Sequence, residues 1–248
     1  MNSFNSRIEQ LNDLIKNSNK VTFFGGAGVS TESGIPDFRS KAGLYNTQNI
    51  GFESFTPEYL LSNDCLCKHT DVFFEFYRQK LDCRKAEPNI THYKLAEMEK
   101  AGKLNGVITQ NIDGLHQKAG SNVVAELHGT VLRNYCTMCG NIFDEDYIFN
   151  NSWKSEPFCK CGGIVRPDIT LYGEMLPDDA WDLAKKLLDE SDLLIVGGTS
   201  LTVYPASSLV SNYKKKIVLI NRDSTSFDEC ADLIFNDSLG DVFSKIEF

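Results

Sequence analysis

The stretch VTFFGGAGVSTESGIPDFRS, residues 21–40, runs an apolar strand-like segment straight into Gly25, Gly26 and Gly28. A strand that exits into glycines lets backbone N–H groups approach an anion, and Ser30 and Thr31 stand where a helix N-terminus would add donors. An ordinary tight turn has the same composition, so the glycines alone are weak evidence. Two departures from a dinucleotide-binding fingerprint narrow the reading. The next glycine it expects falls on Thr31, and the segment about 20 residues further on, NTQNIGFE, has no strand to present an acidic ribose contact. In their place GIPDFRS sets Asp37, Phe38 and Arg39 in a row after a proline turn.

Further short runs rich in Val, Ile and Leu follow: GVIT (106–109), NVVAEL (122–127), DLLIVGG (192–198), KIVLIN (216–221) and ADLIF (231–235). Their lack of polar alternation predicts strands covered on both faces, as in a parallel sheet. Helical spacing recurs at Phe4, Ile8, Leu11 and Ile15 and in 91–102, 177–191, 205–213 and 239–246. Alternation of this kind predicts an α/β fold, a doubly wound, Rossmann-like parallel sheet with its ligand at the carboxyl ends of the strands. Two stretches break the alternation: 41–88, aromatic-rich and helical through KHTDVFFEFYRQKL, and 130–166, which holds a cysteine cluster. They are expected to form a smaller inserted module, helical plus zinc ribbon, leaving 1–40, 89–129 and 167–248 for the nucleotide-binding domain.

With 248 residues the chain can bury a sizeable core without disulfides, and a net charge of −9 argues against a partner recognised through nucleic-acid phosphates. No apolar run reaches membrane-spanning length, and the N-terminus reads as an amphipathic helix rather than a signal peptide. The expected compartment is therefore the cytoplasm, where thiols stay reduced.

CTMCG and CKCGG place Cys136, Cys139, Cys159 and Cys161 in two pairs separated by 19 residues. Four thiolates in paired knuckles suit a tetrahedral, structural zinc with no open position for water. Cys65, Cys67, Cys83 and Cys230 are scattered and expected to be packing residues.

Gln110, Asn111 and Asp113 follow GVIT at a strand's carboxyl end, where amides and carboxylates can bind sugar hydroxyls or a carboxamide; Asn and Asp also simply form turns. His128, in ELHGT, is a general-base candidate at a strand end, although a lone histidine is commonly structural. His116 and His92 read as structural. Thr199 and Ser200 in VGGTSLTVYPASSL, and Asn221 in LINRD, stand at further strand ends suited to phosphate or ribose, or to turns.

Taken together, GAGVSTESGIPDFRS, TQNIDGLHQKAG, ELHG, the paired cysteines, RPDITLYGEMLP and GTSLTVYPASSL resemble the sirtuins, the NAD-dependent protein-lysine deacylases. The resemblance runs in order from about residue 20 to 221. It implies that Ala27, Thr31, Phe38 and Arg39 contact NAD from a loop that helps to break its bond to nicotinamide. It places Gln110 and Asn111 at the nicotinamide ribose, Ile112 and Asp113 at the carboxamide, and Thr199, Ser200 and Asn221 at the phosphates and adenosine. His128 would be the general base on ribose hydroxyls, with Asn111 beside it in the catalytic set. The products implied are free lysine, nicotinamide and O-acetyl-ADP-ribose.

The resemblance also implies acyl-lysine proteins or peptides as partners, with no nucleic acid and no membrane. They would bind by strand addition between DITLYGE and TSLTVYP, where Thr170 and Tyr172 stand in place of the commoner valine and phenylalanine. The Tyr-x-x-Arg pair with which some sirtuins hold succinyl groups is replaced by FEFY (Phe74–Tyr77), so acetyl or apolar acyl groups are expected to be preferred. Two other readings remain open: a mono-ADP-ribosyltransferase using the same site, and a non-catalytic zinc-ribbon module that reads acyl-lysine or nucleic acid.

Overall fold

The computed structural model describes residues 3–38, 43–44, 51–149 and 156–248. Nine strands are found among them: β1 (Val21–Gly25), β2 (Leu104–Thr109), β3 (Val124–Glu126), β4 (Gly129–Cys136), β5 (Ile142–Asp144), β6 (Val165–Ile169), β7 (Leu193–Gly197), β8 (Lys216–Ile220) and β9 (Leu233–Phe235). The helices are α1 (Phe4–Asn17), α2 (Pro57–Leu60), α3 (Asn63–Lys68), α4 (Thr70–Lys80), α5 (Ile90–Lys100), α6 (Leu115–Lys118), α7 (Asp146–Phe149), α8 (Asp178–Glu190), α9 (Ala206–Ser211) and α10 (Leu239–Phe243).

Six strands form one sheet in the order β3-β2-β1-β7-β8-β9, with every pairing parallel. The chain builds outward from β1 on one side and from β7 on the other, so the loops leaving these two central strands part and open a crevice at their carboxyl ends. All five residues of β1 are buried, and successive side chains point to opposite faces. Phe23 packs with Ile8, Leu11, Ile15, Leu95 and Phe243 under α1, α5 and α10, while Phe24 packs with Ile108, Leu187, Leu194 and Leu209 under α8 and α9. Each such side chain contributes roughly 1.5–3 kcal/mol by leaving water.

The expected strand over 122–127 is shorter, because only Val107–Thr109 of β2 pair with Val124–Glu126. It also ends at Glu126, one residue before the expected Leu127, so Leu127 and His128 leave it at the crevice.

A second, antiparallel sheet has the order β5-β4-β6. A third apolar cluster joins Leu60, Phe73, Phe74, Phe76 and Tyr77 of the helical stretch to Val131, Ile148 and Ile169. β6 extends across the 166/167 division. Among the described residues no helix is long and apolar enough to cross a membrane.

The scattered cysteines divide. Cys65 is buried and Cys83 half-buried, but Cys67 and Cys230 are exposed. Cys67 lies on the solvent side of α3, with Sγ 3.5 Å from Asn63 Oδ1, and Cys230 ends a short 3-10 turn (Asp228–Cys230). A thiol is small enough to sit at either kind of position, and nothing in its local sequence separates them.

Candidate active site

The chain leaves β1 through Gly26 and makes two short 3-10 turns, Ala27–Val29 and Thr31–Ser33, instead of one long helix. Gly26 N–H donates to Gly197 O (3.1 Å) and Gly28 N–H to Gly198 O (2.8 Å). A Cβ on Gly28 would lie 2.7 Å from Gly198 Cα, and Gly198 itself has φ 62°. The exits of β1 and β7 therefore touch backbone to backbone, which only glycine permits. Ala27 and Thr31 are half-buried on this turn, and Phe38 packs against the third apolar cluster. Arg39 lies outside the described residues.

The floor of the crevice is a polar network from two separate chain segments. Ser30 Oγ donates to Asp113 Oδ2 (2.7 Å) and accepts from Asn111 Nδ2 (3.0 Å). Asp113 Oδ1 accepts from Leu115 N–H (3.0 Å), and Asn111 N–H donates to Thr109 Oγ1 (3.0 Å). Exposure is 1% for Ser30 and 9% for both Asn111 and Asp113, so the network sits below the surface. Burial pushes the Asp113 carboxyl up, opposed by its hydrogen bonds from Leu115, Ser30 and Asn111.

Gln110 links this floor to both neighbouring strands. Its N–H donates to Gly25 O (3.0 Å), and its Oε1 accepts from Thr199 Oγ1 (3.0 Å). Its Nε2 is buried without a hydrogen-bond partner among the described residues. A buried donor left over in a crevice is a place for a ligand acceptor.

His128 Nδ1 lies 2.8 Å from Gln110 O. A carbonyl oxygen only accepts, so Nδ1 carries the proton and Nε2 keeps its lone pair. Burial lowers the imidazole pKa, and the bond to Gln110 opposes this. The result is a half-buried histidine held neutral in one tautomer, the state a general base requires.

Cys136, Cys139, Cys159 and Cys161 bring their sulfurs within 4.8 Å of one another. The Cys136–Cys161 and Cys139–Cys159 sulfur separations are 3.4 and 3.7 Å. Four sulfurs about 2.3 Å from one zinc would stand about 3.8 Å apart, so the set fits the ion. A Cβ on Gly163 would lie 2.7 Å from Cys136 Sγ, which ties that glycine to the knuckle.

A model of the Sir2 family matches residues 26–205. The chain belongs to the Sir2 family. It is 52% identical over 240 residues to an NAD-dependent protein deacetylase of Clostridium tetani, covering 96% of each chain. Among solved structures it is similar to a Sir2 protein with a p53 peptide and NAD+, at 36% identity and TM-score 0.85. It is also similar to one with the inhibitor EX-527, 2'-O-acetyl-ADP-ribose and a deacetylated p53 peptide, at 34% identity and TM-score 0.83. Coverage is 96% of both chains in each comparison.

The remaining expected positions of this Sir2 family chain are more dispersed. Ile112 offers its carbonyl to Val131 N–H (2.9 Å) and packs toward the third cluster. Ser200 is exposed, with Oγ 2.9 Å from Thr202 Oγ1. Asn221 Nδ2 donates to Asp223 O (2.6 Å), which shapes the turn after β8. Neither hydrogen bond joins the Ser30–Asn111–Asp113 network. Thr170 N–H donates to His128 O (2.9 Å), while Tyr172 exchanges backbone bonds with Leu61 O and Asn63 N–H (3.0 Å each).

His92 and His116 are structural, as expected. His92 Nδ1 accepts from Asn89 N–H (3.2 Å) as part of the cap of α5, and its ring lies 4.7 Å from that of His116. One residue absent from the sequence reading braces the turns after β1: Asn89, whose Nδ2 donates to Val29 O (2.8 Å) and Ser33 Oγ (3.0 Å). An asparagine before a helical run signals an N-cap, but nothing local signals a contact 60 residues away.

Proposed function

We infer that this Sir2 family chain is an NAD-dependent protein-lysine deacetylase that releases nicotinamide and O-acetyl-ADP-ribose. The observation that carries the reading is His128, held as the Nδ1–H tautomer at the edge of a crevice whose floor is the buried Ser30–Asn111–Asp113 network.

The residues present fit the dinucleotide. The backbone contact of Gly28 with Gly198 keeps side chains out of the two strand exits, and the unpartnered Gln110 Nε2 offers a donor. When bound, NAD supplies an electrophilic ribose carbon and an acceptor for the acyl group. Asp113, kept in place by Ser30 and the Leu115 N–H, orients the carboxamide, and Asn111 lies at the adjoining ribose. His128 Nε2 takes a proton from a ribose hydroxyl, and the Gln110 carbonyl stabilises the imidazolium through Nδ1–H. Ala27, Thr31 and Phe38 would cover the nicotinamide side, while Thr199, Ser200 and Asn221 would serve the phosphates and adenosine. Cys136, Cys139, Cys159 and Cys161 would hold a zinc that fixes the ribbon and takes no part in the reaction.

The acyl group removed is acetyl or another apolar acyl. Phe74 and Tyr77 are fully buried in α4, and the neighbouring Arg78 donates Nε–H to Ile148 O (2.9 Å) and lies over the Phe74 ring. Because Arg78 is already engaged by these contacts, a succinyl carboxylate entering this region would have to compete for it. The substrate peptide adds as a strand at residues 168–174, reading backbone and making no use of nucleic acid or membrane, and the chain works in the cytoplasm. The smaller module comprises 41–88 and 130–166, a division supported by their shared apolar cluster.

The test is mass spectrometry of an acetyl-lysine peptide incubated with the protein, with and without NAD. Loss of the acetyl group only with NAD, matched one to one by nicotinamide, is the expected result. ADP-ribose on protein with intact acetyl-lysine would identify a transferase instead, and unconsumed NAD would leave a binding module.

A further inference from the structure

Residues 169–174 are fastened from beneath by an ion pair between the buried Arg166 and the half-buried Glu174. Arg166 Nη1 and Nη2 bind Glu174 Oε1 (2.5 Å) and Oε2 (3.0 Å), the two-pronged arrangement that fixes a carboxylate in one orientation. The same guanidinium donates to Ile169 O (2.9 Å) and to Pro167 O (3.3 Å), and it lies 5.6 Å above the Tyr135 ring. Glu174 accepts from Leu171 N–H (2.9 Å) and from Asn63 Nδ2 (2.7 Å), and its own N–H donates to Leu171 O (3.0 Å). One ion pair therefore ties down the carbonyl of 169, both backbone groups of 171 and the first residue of α3.

Apolar residues of similar volume would stabilise such a site as well or better, so a pair with its hydrogen bonds filled is read for the geometry it enforces. That geometry concerns the edge at Thr170–Glu174, which meets His128 O on one side and Leu61–Asn63 on the other. The pair also walls a cleft of about 400 Å³ that includes Gly129, Thr170 and the exposed Met175. None of its hydrogen bonds reaches Ser30, Asn111, Asp113 or Thr199.

We propose that Arg166 and Glu174 are positioning residues that hold the 169–174 edge in the shape that receives the acyl-lysine peptide, and so set peptide affinity separately from NAD affinity. This rests on the deacetylase reading above. Glu174→Gln keeps the volume but turns an amide N–H toward the guanidinium. Asn63→Ala removes the side-chain tie from α3 to Glu174, together with an exposed contact to Cys67, and leaves the ion pair in place.

Steady-state nicotinamide release by the full chain, with acetyl-lysine peptide and NAD varied in turn, separates the possibilities. Glu174→Gln raises the peptide KM by about tenfold or more, with the NAD KM within about twofold of wild type. Asn63→Ala shifts the peptide KM in the same direction by about threefold, again leaving the NAD KM alone. Fluorescence anisotropy with a labelled acetyl-lysine peptide reports the same order of affinities. If Glu174→Gln does not fold, the Asn63→Ala measurement decides. An unchanged peptide KM in a folded variant, or equal rises in both KM values, overturns the positioning role while leaving the deacetylase reading intact. Failure of the wild-type chain to consume NAD with the peptide removes both.

Discussion

The Nδ1 of His128 and the carbonyl oxygen of Gln110 are 2.8 Å apart, so the residue that fixes the imidazole tautomer is the same one that donates through N–H to Gly25 at the end of β1. The imidazole is thus registered to the sheet by backbone, and side-chain substitutions at position 110 leave that contact available.

His128→Ala should lower kcat by roughly 10²–10⁴, the range for loss of a positioned general base. Because burial lowers the His128 pKa from 6.5, the neutral, active form persists further into acid. The acid limb of kcat/KM against pH should therefore have its midpoint below 6.5. A midpoint near neutrality or higher would assign the titration to another group.

Acid should weaken the fold through His92 and His116, whose buried rings are pushed down to about 4 and about 3. Above pH 6.5 each is neutral in both folded and unfolded chains and contributes no pH dependence. As pH falls from there the unfolded chain gains protons that the folded one refuses, so stability declines until the folded pKa is reached. The loss is on the order of 3 kcal/mol per histidine. Neither ring nitrogen of His116 has a hydrogen-bond partner among the described residues, so His116→Phe should flatten part of the slope. Urea unfolding at pH 7.5 and pH 5, on wild type and His116→Phe, measures both losses.

Asn89→Asp keeps an oxygen to cap Thr91 N–H but loses both N–H donors to the glycine turn. The turn carbonyl at Val29 is then left facing a carboxylate, at a cost of about 1–3 kcal/mol. The NAD KM should rise while the peptide KM stays near wild type. Isothermal titration with NAD provides an independent check.

Metal analysis should find one zinc per chain, and chelation should abolish the ribbon's protection from proteolysis. Cys159→Ala should have the same effect without chelator, since Cys159 is a buried member of the set. Retained protection in the metal-free protein would mean that the apolar contacts of Val165, Phe143 and Tyr147 suffice.

Acetyl-lysine peptide should be turned over roughly a hundredfold faster than succinyl-lysine peptide, the consequence of a carboxylate entering an apolar site whose nearby Arg78 is already engaged. Comparable rates would locate a cation at the acyl pocket.

The glycine turn and the cysteine pairs were legible because each is a local pattern whose spacing carries its chemistry. Ser30 was legible as a donor at the turn but not as the bridge between Asn111 and Asp113, since those partners lie 81 and 83 residues away. Asn89 and the Arg166–Glu174 pair were illegible for the same reason: an N-cap and two surface-type charges look ordinary until the fold sets the first against the glycine turn and the pair beneath residues 169–174. Cys67 and Cys230 show the converse, residues of a commonly buried type that the fold leaves in water.

The contact of Gly28 with Gly198 joins points 170 positions apart along the chain, so the recess for the dinucleotide is a seam between early and late portions of the polypeptide. A fragment stopping before β7 would keep His128 and Asp113 yet present only one lip of that seam. Catalysis is thereby made contingent on the whole protein having been synthesised and closed up, and two separately produced halves should regain it only by reassembling.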